Sequence, residues 1–321
     1  MIERRIDIFP FKERKVEIIP TRKVLQLNME LESFVKEQWA PKKEAGWKSS
    51  WIPLYSKIDF KDDEIKFEAG VMTFAQCFGI IKAIEQGKSF TPKAMNNLSV
   101  GAIPVTSDGY VMVSRRNVNL PNAGGVWNFN GGYVTSLLID KANCDDPKFI
   151  TDPRVFDLED QIRRRVFQYE FEYLQEEDVE ISGRPDSLAN GFYQSFMPEI
   201  GYVARINKSK KELIEITNAH ESNEDAKEHT HRDFIHLEDL GSLLLNQGGL
   251  LNEDPTKYKT DDPRKIILLD ENIGQLIGGS YKKITGQQLD PEFIERLRRD
   301  GLDIREFDTS PGTHYEFPTS Y

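Results

Sequence analysis

The stretch Ser99–Arg115 constrains this chain most. Ser99–Val105 and Tyr110–Arg115 are apolar-rich alternating runs joined through Ser107-Asp108-Gly109. Asp-Gly between two such runs is a strong hairpin signal, so a β-sheet stands at the centre of the chain. Further short strands are expected at Val126–Phe129, ended by Asn130-Gly131-Gly132, and at Val179–Ile181, Glu199–Ile206 and Arg232–Leu237. A loop carrying Asp145, Asp146, Pro147, Asp152 and Pro153 precedes a long helix, Leu158–Gln175, with Asp157 as its N-cap. Strands and helices that alternate in this way imply an α/β/α sandwich around a mixed sheet.

Two blocks flank this central one, giving boundaries of 1–95, 96–245 and 246–321. The first reads as an N-terminal α+β subdomain. Val16–Ile19, Val24–Asn28, Trp51–Tyr55, Ile58–Phe60 and Glu64–Phe67 are strand-like, with Lys61-Asp62-Asp63 as a turn. Thr73–Gln86 reads as a helix on the spacing of Phe74, Phe78, Ile81 and Ile84, ended by Gly87. Trp39, Trp47 and Trp51 are assigned to core or interface packing ahead of a stacking platform. The last block is a C-terminal extension. It opens with a polar linker, then has a strand at Lys265–Leu269 and a helix at Pro291–Asp300 capped by Asp290 and followed by Gly301. Its last dozen residues read as an extended tail.

The helix 158–175 carries an unusual stripe. At 100° per residue, Arg165, Gln168, Gln175 and Glu176 fall within about 60° of Glu172. Ile162, Val166, Tyr169 and Tyr173 border the stripe on one side, and Phe167, Phe171 and Leu174 on the other. A polar stripe between two apolar flanks is not a broad solvated face. Glu172 and Glu176, four apart and alike in charge, repel. A divalent cation held by paired carboxylates and an amide oxygen relieves that repulsion. Neutralisation by Arg165 and outside lysines relieves it too, and both readings stay open on spacing alone.

Composition sets the outer limits. Of 321 residues, 42 are Lys or Arg and 53 Asp or Glu, for a net charge of −11. Such a balance argues against nucleic acid and against anionic membrane surfaces as partners. An anionic substrate then needs a metal or a local basic pocket. Cys77 and Cys144 are the only cysteines, which excludes a disulfide framework. There is no signal-peptide pattern at the N-terminus and no 18-residue apolar run, so the expectation is a cytoplasmic protein.

Four segments, in order, resemble the Nudix hydrolase superfamily. GAIPVTSDGYVMVSRR (101–116) resembles its opening hairpin, and GVWNFNGG (125–132) the strand and glycine pair that begin the Nudix box. YEFEYLQEEDVEI (169–181) resembles the box helix and its exit. EHTHRDFIHLEDL (228–240) resembles a downstream segment in which a Glu assists the metal and a strand leads into a short helix. The box is degenerate. Phe171-Glu172 stands for Arg-Glu, Gln175-Glu176 for Glu-Glu, Asp178 for Gly, and the family's earlier glutamate falls on Leu138. The order of features also resembles the branch that cleaves uridine diphosphate sugars.

The resemblance implies a Mg²⁺-dependent hydrolase, with Mn²⁺ as a substitute. It would cleave the pyrophosphate of a nucleoside diphosphate derivative, a nucleotide sugar among the candidates. Glu172, Gln175 and Glu176 would hold the metal, with Glu228 as a further ligand or general base. Gly131 and Gly132 would let backbone approach the pyrophosphate. Arg115 or Arg116, and Arg165, would neutralise phosphate, with only one of the first two on the inner face. Fewer carboxylates weaken cation binding. The competing expectation is therefore a catalytically weak module that binds a nucleotide or a protein partner. His229 and His231 are not read as a zinc site, for lack of a nearby cysteine.

Overall fold

The computed structural model describes residues 5–10, 14–47, 49–88, 96–117, 125–133, 156–158, 161–162, 174–181, 183–191, 197–220, 229–249, 266 and 268–317. The strands in the first third are β1 (Arg5–Phe9), β2 (Lys15–Val24), β3 (Trp51–Phe60) and β4 (Glu64–Thr73). The central ones are β5 (Ser99–Thr106), β6 (Tyr110–Arg116), β7 (Trp127–Asn128), β8 (Asn130–Tyr133), β9 (Val179–Ile181), β10 (Ser187–Gly191), β11 (Met197–Ile206) and β12 (His229–His236). Near the C-terminus come β13 (Asp303–Glu306) and β14 (His314–Glu316).

The class is mixed α/β, as the alternation implied. The larger sheet runs β12-β6-β5-β11-β10-β1-β13, with β7 on β6, β8 on β5 and β9 on β11. β5 and β11 are parallel, and β6 and β12 antiparallel. The smaller sheet runs β14-β3-β4-β2. The blocks read from sequence exchange strands. β1 lies between β10 and β13 in the larger sheet, and β14 extends the smaller one.

Alternation along β11 shows the layers. Ile200, Tyr202 and Ala204 join Val100 and Ala102 in a core shared with Phe60, Phe67 and Val71 of the smaller sheet. Phe156, Leu158, Ile162 and Leu174 belong to the same core. Val203 points the other way with Ile103 and Val105, against Leu244, Ile273, Leu276 and Leu297 of later helices. The outer face of the smaller sheet, Ile52, Leu54 and Met72, is covered by Leu31, Val35, Cys77 and Ile80. The two sheets therefore lie face to face with helices outside each. Phe9 of β1 stacks on Phe307 with centroids 4.7 Å apart and reaches Phe60 of β3 at 6.0 Å, which joins the sheets through aromatic rings.

Local chemistry explains several elements. The helix Met29–Glu44 starts where Asn28 Oδ1 accepts the Leu31 N–H at 2.8 Å, and has Glu30 and Glu32 in its first turn. Phe74–Glu85 starts with a Thr73–Gln76 capping box, and Gly87 at φ +63° follows its end. Gly109 takes φ +83° in the hairpin turn. Among the described residues no helix is long and apolar enough to cross a membrane.

The structure corrects several sequence expectations. Val24–Asn28 is not a separate strand: β2 ends at Val24 and Asn28 caps the unforeseen helix Met29–Glu44. In the Phe74–Glu85 helix, Cys77, Ile80 and Ala83 are the fully buried residues, because Phe74, Phe78 and Ile84 sit at the edge of the face it buries. Trp39 packs edge-on against Phe74 and Phe78, as expected, whereas Trp47 is exposed beneath the Lys42 ammonium. The expected linker at Gly248-Gly249 lies within the helix Leu240–Gly249. Of the strand expected at Lys265–Leu269, Lys265 and Ile267 lie outside the described residues; Leu268 makes a bridge to Trp127, and helical segments Asp270–Gln275, Leu276–Ser280 and Tyr281–Thr285 follow. The tail pairs with β3 through β14.

Candidate functional site

The hairpin opens where the resemblance places the site. β5 and β6 share one ladder pair, Val105↔Val111. Beyond it the chain 127–133 sits between the arms. Asn128 and Trp127 pair with Ser114 and Arg115, and Asn130 to Tyr133 pair with Ala102 to Ser99. Gly131 and Gly132 thus lie inside a strand opposite Gly101 and Val100, and do not end one. The reason is backbone pairing: the free edge of β5 beyond the hairpin takes up their peptide groups. Counted from Val105↔Val111, Gly131 is level with Arg115 and Gly132 with Arg116.

The two arginines separate by alternation, as expected. Arg115 faces the helix-covered side with Val113 and is 5% exposed; its Nε donates to the Gly125 carbonyl at 3.2 Å. Arg116 is half-buried on the other face, the one Ser114 and Met112 share.

That second face carries a polar rung absent from the sequence reading. β12 pairs Arg232 with Ser114, and β7 pairs Asn128 with Ser114, so three polar side chains stand in line across three strands. Ser114 is 0% exposed and Asn128 4% exposed; Arg232 is half-buried. Ser114 Oγ, Asn128 Oδ1 and Arg232 Nε have no hydrogen-bond partner. A buried polar atom left unmet costs about 1–3 kcal/mol. One rung along, Phe234 pairs with Met112, and one beyond that His236 pairs with Tyr110. The Lys210 ammonium stands over the Tyr110 ring at 4.6 Å and the Phe234 ring at 5.6 Å. One signal for the rung was present in the sequence. Val-Met-Val-Ser and Trp-Asn-Phe-Asn put Ser114 and Asn128 between core residues, but only the register reveals that they meet Arg232.

Of the residues expected to hold metal, Gln175 is the one whose side chain is described, and it lies at the opposite end of β11 from the level of the glycines. Leu174 is a bend, Gln175 is irregular and Glu176–Asp178 is a 3-10 turn, so Leu174 and Gln175 are not helical, although the helix was expected to run through Gln175. The Asp178 carboxylate explains the break. It accepts the Gln175 N–H at 3.3 Å and meets Lys208 Nζ at 2.8 Å, a local alternative to helical bonding. The hydrogen bond from Lys208 holds that carboxyl below the ordinary range. The Asn207 N–H donates to the Asp178 carbonyl, which puts the turn at the C-terminal end of β11. Gly132 is level with Ile200 instead, seven residues back, or roughly 20 Å at about 3.3 Å per residue. Glu172, Arg165, Glu228 and Leu138 lie outside the described residues, as does the side chain of Glu176. Among the described residues, no three His, Cys, Asp or Glu gather as a metal site.

No protein-family profile matches the chain, and no curated protein matches it. Solved structures do overlap with it in part. A Deinococcus radiodurans protein is 14% identical with a TM-score of 0.30, over 58% of this chain and 86% of that one. A Nudix hydrolase from M. smegmatis is 11% identical with a TM-score of 0.25, over 45% and 73%. A bifunctional NMN adenylyltransferase/ADP ribose pyrophosphatase from Francisella tularensis is 14% identical with a TM-score of 0.22, over 40% of this chain and 32% of that one. These are partial, distant overlaps, and the functional reading below rests on this chain's own residues.

Proposed function

We propose that the chain is a Nudix-type hydrolase that cleaves the diphosphate of a nucleoside diphosphate derivative, a nucleotide sugar among the candidates. One observation carries the reading. The four segments of the resemblance contribute neighbouring strands to one sheet: the β5–β6 hairpin, the glycine strand between its arms, the exit strand β9 on β11, and β12 on β6. Gly131 and Gly132 carry no Cβ atoms on the strand that pairs with Ser99–Ala102, and Gly132 is level with the half-buried Arg116 across the opened hairpin. Glu172, Gln175 and Glu176 offer the oxygen donors that Mg²⁺ or Mn²⁺ prefers. Such a cation, when bound, supplies charge neutralisation and an acidified water. Arg116 would neutralise phosphate, Arg165 would add to it, and Glu228 would take a proton.

The test is product release from a panel of nucleotide sugars and dinucleotides, with Mg²⁺ or Mn²⁺, beside Glu172→Gln and Glu176→Gln. Turnover lost in Glu172→Gln is the expected result. Turnover that survives both substitutions would remove the assigned register.

A second reading, a nucleotide-binding module without turnover, is favoured by the break at Leu174–Asp178. The irregular Leu174–Gln175 backbone and the Glu176–Asp178 turn depart from the regular wheel on which Glu172 and Glu176 share a face. It predicts a Mg²⁺-dependent thermal shift with ligand and no product on any substrate.

A further inference from the structure

We infer that residues 303–317 form a strap that opens as one unit from the edges of both sheets while the central strands stay paired, with the charged β1–β13 pairing as its catch. The inference is independent of the hydrolase reading.

The chain crosses between the sheets near each of its ends. β1 lies in the larger sheet and β2 in the smaller, and likewise β13 in the larger and β14 in the smaller. The two crossings are bonded to each other. The Phe307 N–H donates to the Ile8 carbonyl at 2.9 Å, Thr309 Oγ1 to the Pro10 carbonyl at 2.8 Å, and Arg14 Nη1 to the Thr309 carbonyl at 2.6 Å. Further on, the Gly312 N–H donates to the Phe60 carbonyl, the Phe60 N–H to the Thr313 carbonyl and the Phe317 N–H to the Ser56 carbonyl. The rings of Phe307 and Tyr315 pack on Phe9, and that of Phe317 on Tyr55.

This segment is separable from the rest. Among the described residues β13 pairs with β1 alone and β14 with β3 alone, so release breaks no pairing between other strands. Of residues 303–317 only Ile304 and Thr309 are buried, whereas every residue of β5 is. Local opening starts in segments with few buried contacts and exposed backbone bonds. Gly301, at φ +107° and with open space where a Cβ would stand, precedes the strap. Arg298 of the preceding helix adds one tie, from its Nε to the Ile304 carbonyl at 3.2 Å.

The catch is electrostatic. The parallel register sets Arg5 opposite Asp303 and Asp7 opposite Arg305. Within each strand Arg5 meets Asp7 at 2.7 Å and Arg305 meets Asp303 at 2.6 Å. Four charges of alternating sign thus share one face of two strands about 4.8 Å apart. A slip of two residues would set Arg5 against Arg305, so the ladder fixes the register. Its outer half is open to solvent, with the Arg305 side chain 50% exposed.

The test is native-state hydrogen exchange on the full chain, resolved by residue. Phe60 is the reporter, because its amide sits on β3 yet bonds to the strap. The amides of Phe60, Phe307, Gly312 and Phe317 are expected to share one opening equilibrium, about a hundredfold or more above that of the β5–β11 amides and only weakly dependent on urea. Phe307→Ala should raise it about tenfold or more. Arg305→Gln should raise it about threefold, and about 0.5 M salt should raise it more in the natural chain than in that variant. Gly279→Ala, on the far face of the larger sheet, should speed the β5–β11 amides and leave the four unchanged. Four unrelated equilibria would overturn the strap as a unit. Opening of the four only together with β5–β11 would overturn its independence. No response to Arg305→Gln or to salt would overturn the catch.

Discussion

Two groups of buried polar side chains lie on opposite faces of the larger sheet, and they are completed differently. Beneath the helical segments Asp270–Thr285, Glu199 accepts from Gln275 Nε2 and from Ser99 Oγ at 3.4 Å. Ser280 Oγ donates to Ser187 Oγ at 3.1 Å, and Asp186 accepts the Val203 N–H at 2.8 Å while meeting Lys283 Nζ at 3.6 Å. Two acceptor atoms, Gln275 Oε1 and Asp270 Oδ2, are left over there among the described residues. On the opposite face, a single rung leaves three polar atoms over. The first group holds a helix to a sheet, because its polar atoms meet one another. The second makes no such bonds at these three atoms, which leaves the rung costly to bury.

The helix-covered face should break most sharply when it is overfilled. A Cβ on Gly279 would stand 2.3 Å from the Asp186 carbonyl oxygen, and one on Gly274 would stand 2.7 Å from Ala189 Cβ. The first neighbour is backbone and cannot rotate away. Gly279→Ala is expected to cost about 3 kcal/mol, at the upper end of overpacking, measured as a shift of the urea midpoint at unchanged slope. A variant as stable as the natural chain would show that the seam is loosely packed and would dissolve the contrast.

Next comes Asp7, fully buried on β1 where that strand meets β10 and β13. Burial pushes its carboxyl above the ordinary range, against the hydrogen bonds from Arg5 at 2.7 Å and Asn190 at 3.4 Å. The folded chain therefore holds this proton more tightly than the unfolded chain. Stability falls as pH rises from the ordinary carboxylate value through the raised one. Asp7→Asn should melt higher than the natural chain at neutral pH. Its advantage should shrink on acidification and be smallest below about pH 3, where both states hold the proton. A difference that stays flat across melting curves at several pH values would show that burial is not the controlling cause.

The legible parts of this molecule are those fixed by neighbours in sequence. The hairpin at Asp108-Gly109, the Thr73-capped helix, the Asp290–Pro291 helix start and the short strand Val179–Ile181 all depend on residues a few places apart. The illegible parts depend on register between distant strands. β1 pairs with β13 across some 300 residues of chain, and nothing local in Arg5–Phe9 says so. Ser114 reads as an ordinary small residue until Arg232 and Asn128 flank it. The wheel that grouped the metal set ran through Gln175 and Glu176, where the backbone is irregular and then a 3-10 turn, because Asp178 turns its carboxylate back to the Gln175 N–H.

A pair of serines sharpens the contrast between faces at smaller scale. Ser114→Ala removes an unmet hydroxyl and should raise stability of the free chain by about 1 kcal/mol. Ser187→Ala strands the Ser280 hydroxyl and should lower it by about the same amount. Opposite signs in chemical unfolding would show that one serine costs the fold stability and the other supports it. The same sign for both would erase that distinction.

The smallest effect belongs to Asp178, at the far end of β11 from the glycine strand. Its carboxylate joins the turn Glu176–Asp178 to Lys208, and both groups are partly exposed, the Asp178 side chain 13% and the Lys208 side chain 29%. The hydrogen bond from Lys208 lowers the Asp178 value, so its contribution is complete above the ordinary carboxylate range and is lost as pH falls through the lowered value. Pairs so near the surface contribute about 0.2–1 kcal/mol. Asp178→Asn should lose that much at neutral pH. The gap should close in acid and narrow in high salt, since screening acts on a pair this accessible. Asp178 stands where the resembled box has glycine, so the Lys208 pair is this chain's own way of ending the segment before β9. If Asp178→Gly instead melted at the temperature of the natural chain at neutral pH and low salt, the turn would be held by its backbone bonds to Asn207 and Gln175 alone. The break in the helix would then owe nothing to the carboxylate.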